Sequence, residues 1–224
     1  MGQAIGQVLP LAVGAAISPV PIIASVLLLM TPRAASTGTA YVVGWLLGLI
    51  ALGAIVLAIA HPAGATSGGK QATWVSVLEL VLGGAVLLGA IGQWRSRPRD
   101  ADEPPTPKWM GTIESFNAGK AFAVGLFLGA LNPKNIPLTI AAAASIAGTG
   151  ISSGSQAVVL VVFAVLGTIG VAAPLGIYVA MGDRAGHVLE GLRHWLARNN
   201  PVIMTVLLAV IGSKILGDAI SGLS

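Results

Sequence analysis

The chain of 224 residues is 55% hydrophobic and 9% charged, with a mean hydropathy of +0.87, against roughly 25% charged residues in an ordinary soluble domain. That balance excludes a water-soluble globule and marks an all-α integral membrane protein, since helices are the spanning element that satisfies its own backbone in lipid. The net charge of +4 does not point to nucleic acid, because the basic residues are neither gathered on one face nor interleaved with aromatics. The absence of cysteine rules out disulfides, thiolate metal sites and dithiol redox chemistry.

Apolar runs long enough to cross a hydrocarbon core of about 30 Å fall near residues 5–30, 37–60, 73–94, 119–147, 155–181 and 201–222, which predicts six transmembrane helices. No basic stretch precedes the first run and it is long enough to span, so it reads as a retained helix rather than a cleaved signal. Ser18-Pro19-Val20-Pro21 interrupts that run, and Asn132-Pro133-Lys134-Asn135-Ile136-Pro137 interrupts the fourth. Helices 1 and 4 are therefore predicted to be broken by proline, which removes a donor and clashes with the preceding turn. Between the third and fourth runs, mixed charges and Pro98, Pro104, Pro105 and Pro107 make a segment too polar for lipid and too proline-rich for a helix. The chain divides into residues 1–94, a linker at 95–118, and residues 119–224.

The two breaks lie 114 residues apart (132 − 18), and the same offset places Gly53 on Gly167. Each part has three spans, an odd number, so the second enters the membrane from the opposite side. The prediction is two inverted three-helix repeats, and paired interruptions in such repeats point to a binding site near the midplane. Nine of the twelve Lys and Arg residues fall in the loops after the first, third and fifth runs or at their edges: Arg33, Arg95, Arg97, Arg99, Lys108, Lys120, Arg184, Arg193 and Arg198. Only Lys70 lies on the other side, so the positive-inside rule puts both termini outside the cytoplasm. Trp74, Trp94 and Trp195 mark span ends or a flanking loop, as interfacial anchors do. Thirty glycines, with Gly44-xxx-Gly48 and Gly125-xxx-Gly129 as small-xxx-small faces, predict helices packed backbone to backbone.

The prolines should free the carbonyls of Ala15, Ile17, Gly129 and Pro133. A helix restarting after a break presents N–H groups and the positive end of its dipole, which favours an anion. A cation in mid-membrane costs at least about 2.5–3.5 kcal/mol and so faces a cavity or a partner. Ser18, Pro19, Pro21, Asn132, Pro133, Lys134 and Asn135 are therefore the candidate substrate-binding residues, forming an anion site where the breaks approach. The plainer alternative is that the prolines only kink two helices and freed carbonyls satisfy Lys134. Glu79, Lys214 and Asp218 form a second group for gating or proton coupling, with Lys214 and Asp218 able to pair at i,i+4. His61, His187 and His194 lie in expected loops with no metal-ligand spacing, and no nucleophile elbow or phosphate loop occurs. The expectation is a non-enzyme without metal or cofactor.

Six spans in inverted halves, a proline-rich break in the first helix and Leu131-Asn132-Pro133-Lys134 in the fourth resemble the lysine-exporter (LysE) superfamily. Within it, Ala16-Ile17-Ser18-Pro19-Val20-Pro21-Ile22 and Asn132-Pro133-Lys134-Asn135 are most similar to the GAP family, the sulfolipid- and glycopeptidolipid-addressing proteins. The chain departs from the amino-acid exporters, which show a Pro-Gly-Pro-type element where it has Ser-Pro-Val-Pro. The resemblance implies a multi-pass protein of the inner (plasma) membrane that translocates an anionic glycolipid or lipid-linked sugar by alternating access. Two alternatives stay open: a proton-coupled exporter of a small hydrophilic solute or ion, and a non-transporting subunit of a larger lipid exporter that docks through the linker.

Overall fold

The computed structural model describes residues 1–60, 66–67, 70–71, 73–95, 113 and 115–223. Eight α-helices dominate them: α1 (Gly2–Ala16), α2 (Pro19–Leu29), α3 (Ala34–Ala60), α4 (Thr73–Arg95), α5 (Ala118–Leu131), α6 (Asn135–Gly148), α7 (Ser153–Met181) and α8 (Ala185–Leu223). A two-residue antiparallel pairing, β1 (Thr66–Ser67) with β2 (Lys70–Gln71), lies between α3 and α4. His61 and most of the expected 95–118 linker lie outside the described residues.

Helices α3, α4, α7 and α8 are each long and apolar enough to cross a membrane. α1 and α2, bent by 55° at their break, together make a fifth candidate span, while α5 and α6 are shorter apolar helices. By length and composition the protein thus has four to five spans where the sequence predicts six. The fourth run is divided because Pro133 and Pro137 supply no backbone donors and Asn132 turns extended at φ −63°, ψ 125°. Apolar side chains such as Leu88, at 70% exposure, and Val179, at 75%, face outward, as they do on a lipid-facing surface.

The sixth run also differs from expectation. α8 has 39 residues, about 58 Å at 1.5 Å per residue, so residues 185–200 are helix rather than loop and carry His187 and His194 with them. Leu189 and Leu196 are buried on this stretch, and Leu189 packs with Val26, Leu29 and Ala34. Glu190 pairs with Arg193 at 2.5 Å and with His194 at 2.9 Å. Helical spacing of apolar residues and of these i,i+3 and i,i+4 pairs outweighs the local charge. Trp195 is therefore on a helix. Trp74 and Trp94 sit near the two ends of α4, separated by 20 residues (94 − 74) or about 30 Å, the hydrocarbon thickness that interfacial rings bracket.

Glycine decides which helices touch. A Cβ on Gly44 would lie 2.2 Å from the Phe122 carbonyl oxygen and one on Gly48 2.4 Å from that of Leu126. Gly125 and Gly129 stand equally close to the carbonyls of Tyr41 and Trp45. The two small-xxx-small faces pack on each other, and because the numbers rise together, α3 and α5 run parallel. α7 meets α1 in the same sense, with Gly167 beside Ala12 and Ala15 and Gly170 against the Ala16 carbonyl. α4 and α8 run antiparallel: Gly83 faces Leu216, and Gly212 faces Leu87. At the centre, Tyr41, Trp45 and Leu49 line one face of α3 and are fully buried with Leu11, Leu138 and Phe163. Their polar tips are tied down, the Tyr41 hydroxyl donating to the Pro21 carbonyl at 3.1 Å and Trp45 Nε1 to the Gly167 carbonyl at 3.3 Å.

Candidate functional site

α1 ends because Pro19 and Pro21 cannot supply the next rungs of its ladder. Its final helical bond runs from Ile17 N–H to the Val13 carbonyl, which leaves the carbonyls of residues 14 to 17 without the donors a continuing helix would give. All four are nevertheless used. Ser18 N–H donates to Ala16 O at 3.0 Å and the Ser18 hydroxyl to Ala15 O at 2.7 Å. Lys134, from the other break, supplies the rest: its Nζ donates to Gly14 O at 2.6 Å and to Ile17 O at 2.8 Å. Its third hydrogen goes to Ser18 Oγ at 2.5 Å.

The ammonium therefore has each of its three hydrogens placed, and its charge rests on the negative end of the α1 dipole, where a cation is stabilised. Ser18 and Lys134 meet across 116 residues of sequence, as the approach of the breaks requires. The expectation of spare N–H groups at the restarting helices holds at Val20 of α2, whose N–H makes no backbone hydrogen bond, but not in α6. In α2, Pro19 and Pro21 have no N–H, and Ile22 N–H donates to Ser18 O at 2.9 Å. In α6, Asn135 and Ile136 donate to Asn132 O at 2.8 and 3.0 Å, Lys134 N–H donates to Asn132 Oδ1 at 3.0 Å, and Pro137 has none. The donors that remain for a ligand are the Val20 N–H and those of Lys134 itself, once they leave α1.

Asn132 thus closes the break around itself, while Pro133 faces outward and Pro19 and Pro21 are buried. Asn135 is fully buried, and neither its Oδ1 nor its Nδ2 has a hydrogen-bond partner. Thr139, one turn further along α6, is likewise fully buried with an unpartnered Oγ1. Sequence reasoning named Asn135 but missed Thr139, although two polar residues at i,i+4 in an alanine-rich helix are a readable signal. It had no means of finding the Gly14 carbonyl, which any residue would present.

The second predicted group separates. Lys214 pairs with Asp218 on α8, with side chains 21% and 37% exposed. Glu79 is 1% exposed and accepts a hydrogen bond from the Ser145 hydroxyl of α6 at 3.0 Å. The α4–α8 register set by Gly83–Leu216 and Gly212–Leu87 puts Glu79 level with Ile220, about 9 Å along the axis from Lys214. A cleft of about 510 Å³ opens between α3 and α7, lined by Ala54, Leu57, Ala58, Ser153, Gln156, Ala157 and Leu160. Among the described residues no cluster of His, Asp or Glu is arranged to hold a metal.

Comparison with known proteins adds one match. The family model described as Sap, sulfolipid-1-addressing protein, matches residues 8–221. No curated protein and no solved structure matches the chain.

Proposed function

The chain belongs to the sulfolipid-1-addressing protein family, and from that premise we propose that it moves an anionic glycolipid or lipid-linked sugar across the membrane by alternating access. The family and the long apolar helices give a multi-pass membrane protein with a lipid-addressing or export role. The observation that carries the finer reading is the Lys134 cross-link. An intramembrane cation from one broken helix holds the carbonyl end of the other. An anionic headgroup competes with those carbonyls for the same three hydrogens. By taking them over it releases α1 from α6, so loading and rearrangement become one event. Hydrogen bonds to a charged group contribute about 1.5–3 kcal/mol each, enough for such an exchange to shift a conformational equilibrium.

The architecture proposed with this mechanism is two inverted three-helix repeats, α1–α4 and α5–α8, each beginning with a broken span, as in the LysE superfamily. The parallel pairing of α3 with α5 and of α7 with α1 is what such a repeat requires, because the second span of each half then lies beside the first half-helix of the other. The cleft between α3 and α7, lined mostly by alanine and leucine, suits an alkyl chain. The charge bias of the loops supports a plasma-membrane protein with both termini outside the cytoplasm. In this reading the chain moves its cargo unchanged and needs no cofactor.

The test is headgroup flipping in proteoliposomes with a fluorescent anionic glycolipid. Lys134→Ala should slow flipping at least tenfold, about 1.4 kcal/mol, while a neutral glycolipid responds less. Full flipping by the variant would remove Lys134 from the mechanism. A second reading is favoured by the buried Glu79–Ser145 bond: a proton-coupled exporter of a small solute, with Glu79 exchanging the proton. Transport that collapses with an imposed pH gradient, and is insensitive to that gradient in Glu79→Gln, would select it.

A further inference from the structure

The carbonyl end of α5 carries the same defect as that of α1 but lacks its remedy. Gly129 O would receive its helical bond from residue 133, which is proline. Ala130 O would receive one from Lys134 N–H, which instead donates to Asn132 Oδ1. Leu131 O would receive one from Asn135 N–H, which instead donates to Asn132 O. Three carbonyls at the negative end of a helix dipole thus have their helical donors spent elsewhere. The position matching Lys134 at the 114-residue offset is Val20, so the first break returns no ammonium to α5.

Four residues on from this end Asn135 is fully buried with both Oδ1 and Nδ2 unpartnered, and one turn further Thr139 Oγ1 is buried and unpartnered as well. Asn135 is the first residue of α6, and a helical Cβ tilts toward its helix N-terminus, which here is the break. Thr139 is on the same face one turn on. A buried polar group without a partner costs about 1–3 kcal/mol, and two on one face, beside freed carbonyls, call for a ligand.

We propose that the carbonyl end of α5, together with Asn135 Oδ1 and Thr139 Oγ1, binds a monovalent alkali cation. The donor set is neutral oxygen throughout, with no carboxylate from these residues, which disfavours Mg²⁺ and Ca²⁺. Unwound carbonyls and half-helix C-terminal ends are the groups that hold Na⁺ in broken membrane helices. The ammonium of Lys134 is committed to the α1 end, so each half-helix end holds one positive charge, one built in and one exchangeable. The cation site does not depend on the glycolipid reading and is tested without transport.

Thermal unfolding of the purified full chain in detergent is followed in NaCl, KCl and choline chloride at equal ionic strength. A saturable rise in melting temperature with Na⁺ or K⁺ over choline is expected, following mass action. Thr139→Val should weaken that apparent cation affinity at least tenfold, and Thr139→Ser should restore it. Binding of ²²Na⁺ or ⁸⁶Rb⁺ to the same protein gives a readout independent of stability. Equal melting in all three salts, with no isotope bound, overturns the site. So does a Thr139→Val variant that is more stable than the parent yet keeps the full cation response, the behaviour of an orphan hydroxyl replaced by a methyl.

Discussion

The two proline breaks are built alike and finished differently. At the α1–α2 break all four orphan carbonyls are taken, two by Ser18 and two by the Lys134 ammonium. At the α5–α6 break Asn132 satisfies the N–H side through its side chain and its own carbonyl, and the carbonyl side is left to other groups. Proline therefore fixes where the chain is interrupted, not how the interruption is neutralised. The anchoring also differs. α5 is held to α3 by glycines whose backbones touch, whereas α1 meets α6 through a polar cross-link beside apolar packing of Leu138 near Gly14.

That contrast can be broken most severely at the glycines. Gly125→Ala would set a methyl 2.2 Å from the Tyr41 carbonyl oxygen, and because the obstacle is backbone, α3 and α5 must move apart. We expect a loss of about 3 kcal/mol or more, above the usual cost of overpacking, seen as loss of monodisperse protein on detergent gel filtration or a collapse in melting temperature. Next comes Lys134→Ala. It leaves Gly14 O and Ile17 O without donors and the α1 dipole without its cation, an expected cost of about 2–4 kcal/mol read by denaturant unfolding in micelles. Hydrogen exchange should rise in residues 14–22 more than in α5. Equal exchange across both breaks would mean that Lys134 is not what separates them. The smallest effect is Ser18→Ala, which removes one acceptor for Lys134 and one donor to Ala15 O, for about 1–2 kcal/mol. Its melting loss should shrink in the Lys134→Ala background to what the Ala15 bond alone contributes, if the two side chains act as one network.

Much of the fold was legible in the sequence because lipid imposes one rule on every span. Apolar length gave α3, α4 and α7 nearly to their ends, and prolines without donors gave both breaks. The paired Gly-xxx-Gly faces gave backbone contact, though not that the two faces would choose each other. α8 was misread at its beginning because charged residues at 185–200 look like loop when counted, yet their i,i+3 and i,i+4 spacing continues a helix past the apolar span. The fourth run was read as one span broken by proline, and the break leaves it as two helices, each too short to cross a membrane alone. At the site, Ser18, Asn132, Lys134 and Asn135 could be named from chemistry alone. That Lys134 spends its hydrogens on carbonyls of α1, that Thr139 is stranded with Asn135, and that Glu79 belongs to Ser145 rather than to Lys214 could not.

The sequence by itself determined that this chain lives in a membrane, where its helices must stop, and that one buried lysine would need partners. These follow from composition and from groups that proline removes, which are local properties. Only the tertiary structure decided who those partners are. A freed carbonyl looks the same at every residue, and which one a lysine reaches depends on how glycine contacts set α3 against α5 and α7 against α1, bringing two distant breaks to within a single hydrogen bond.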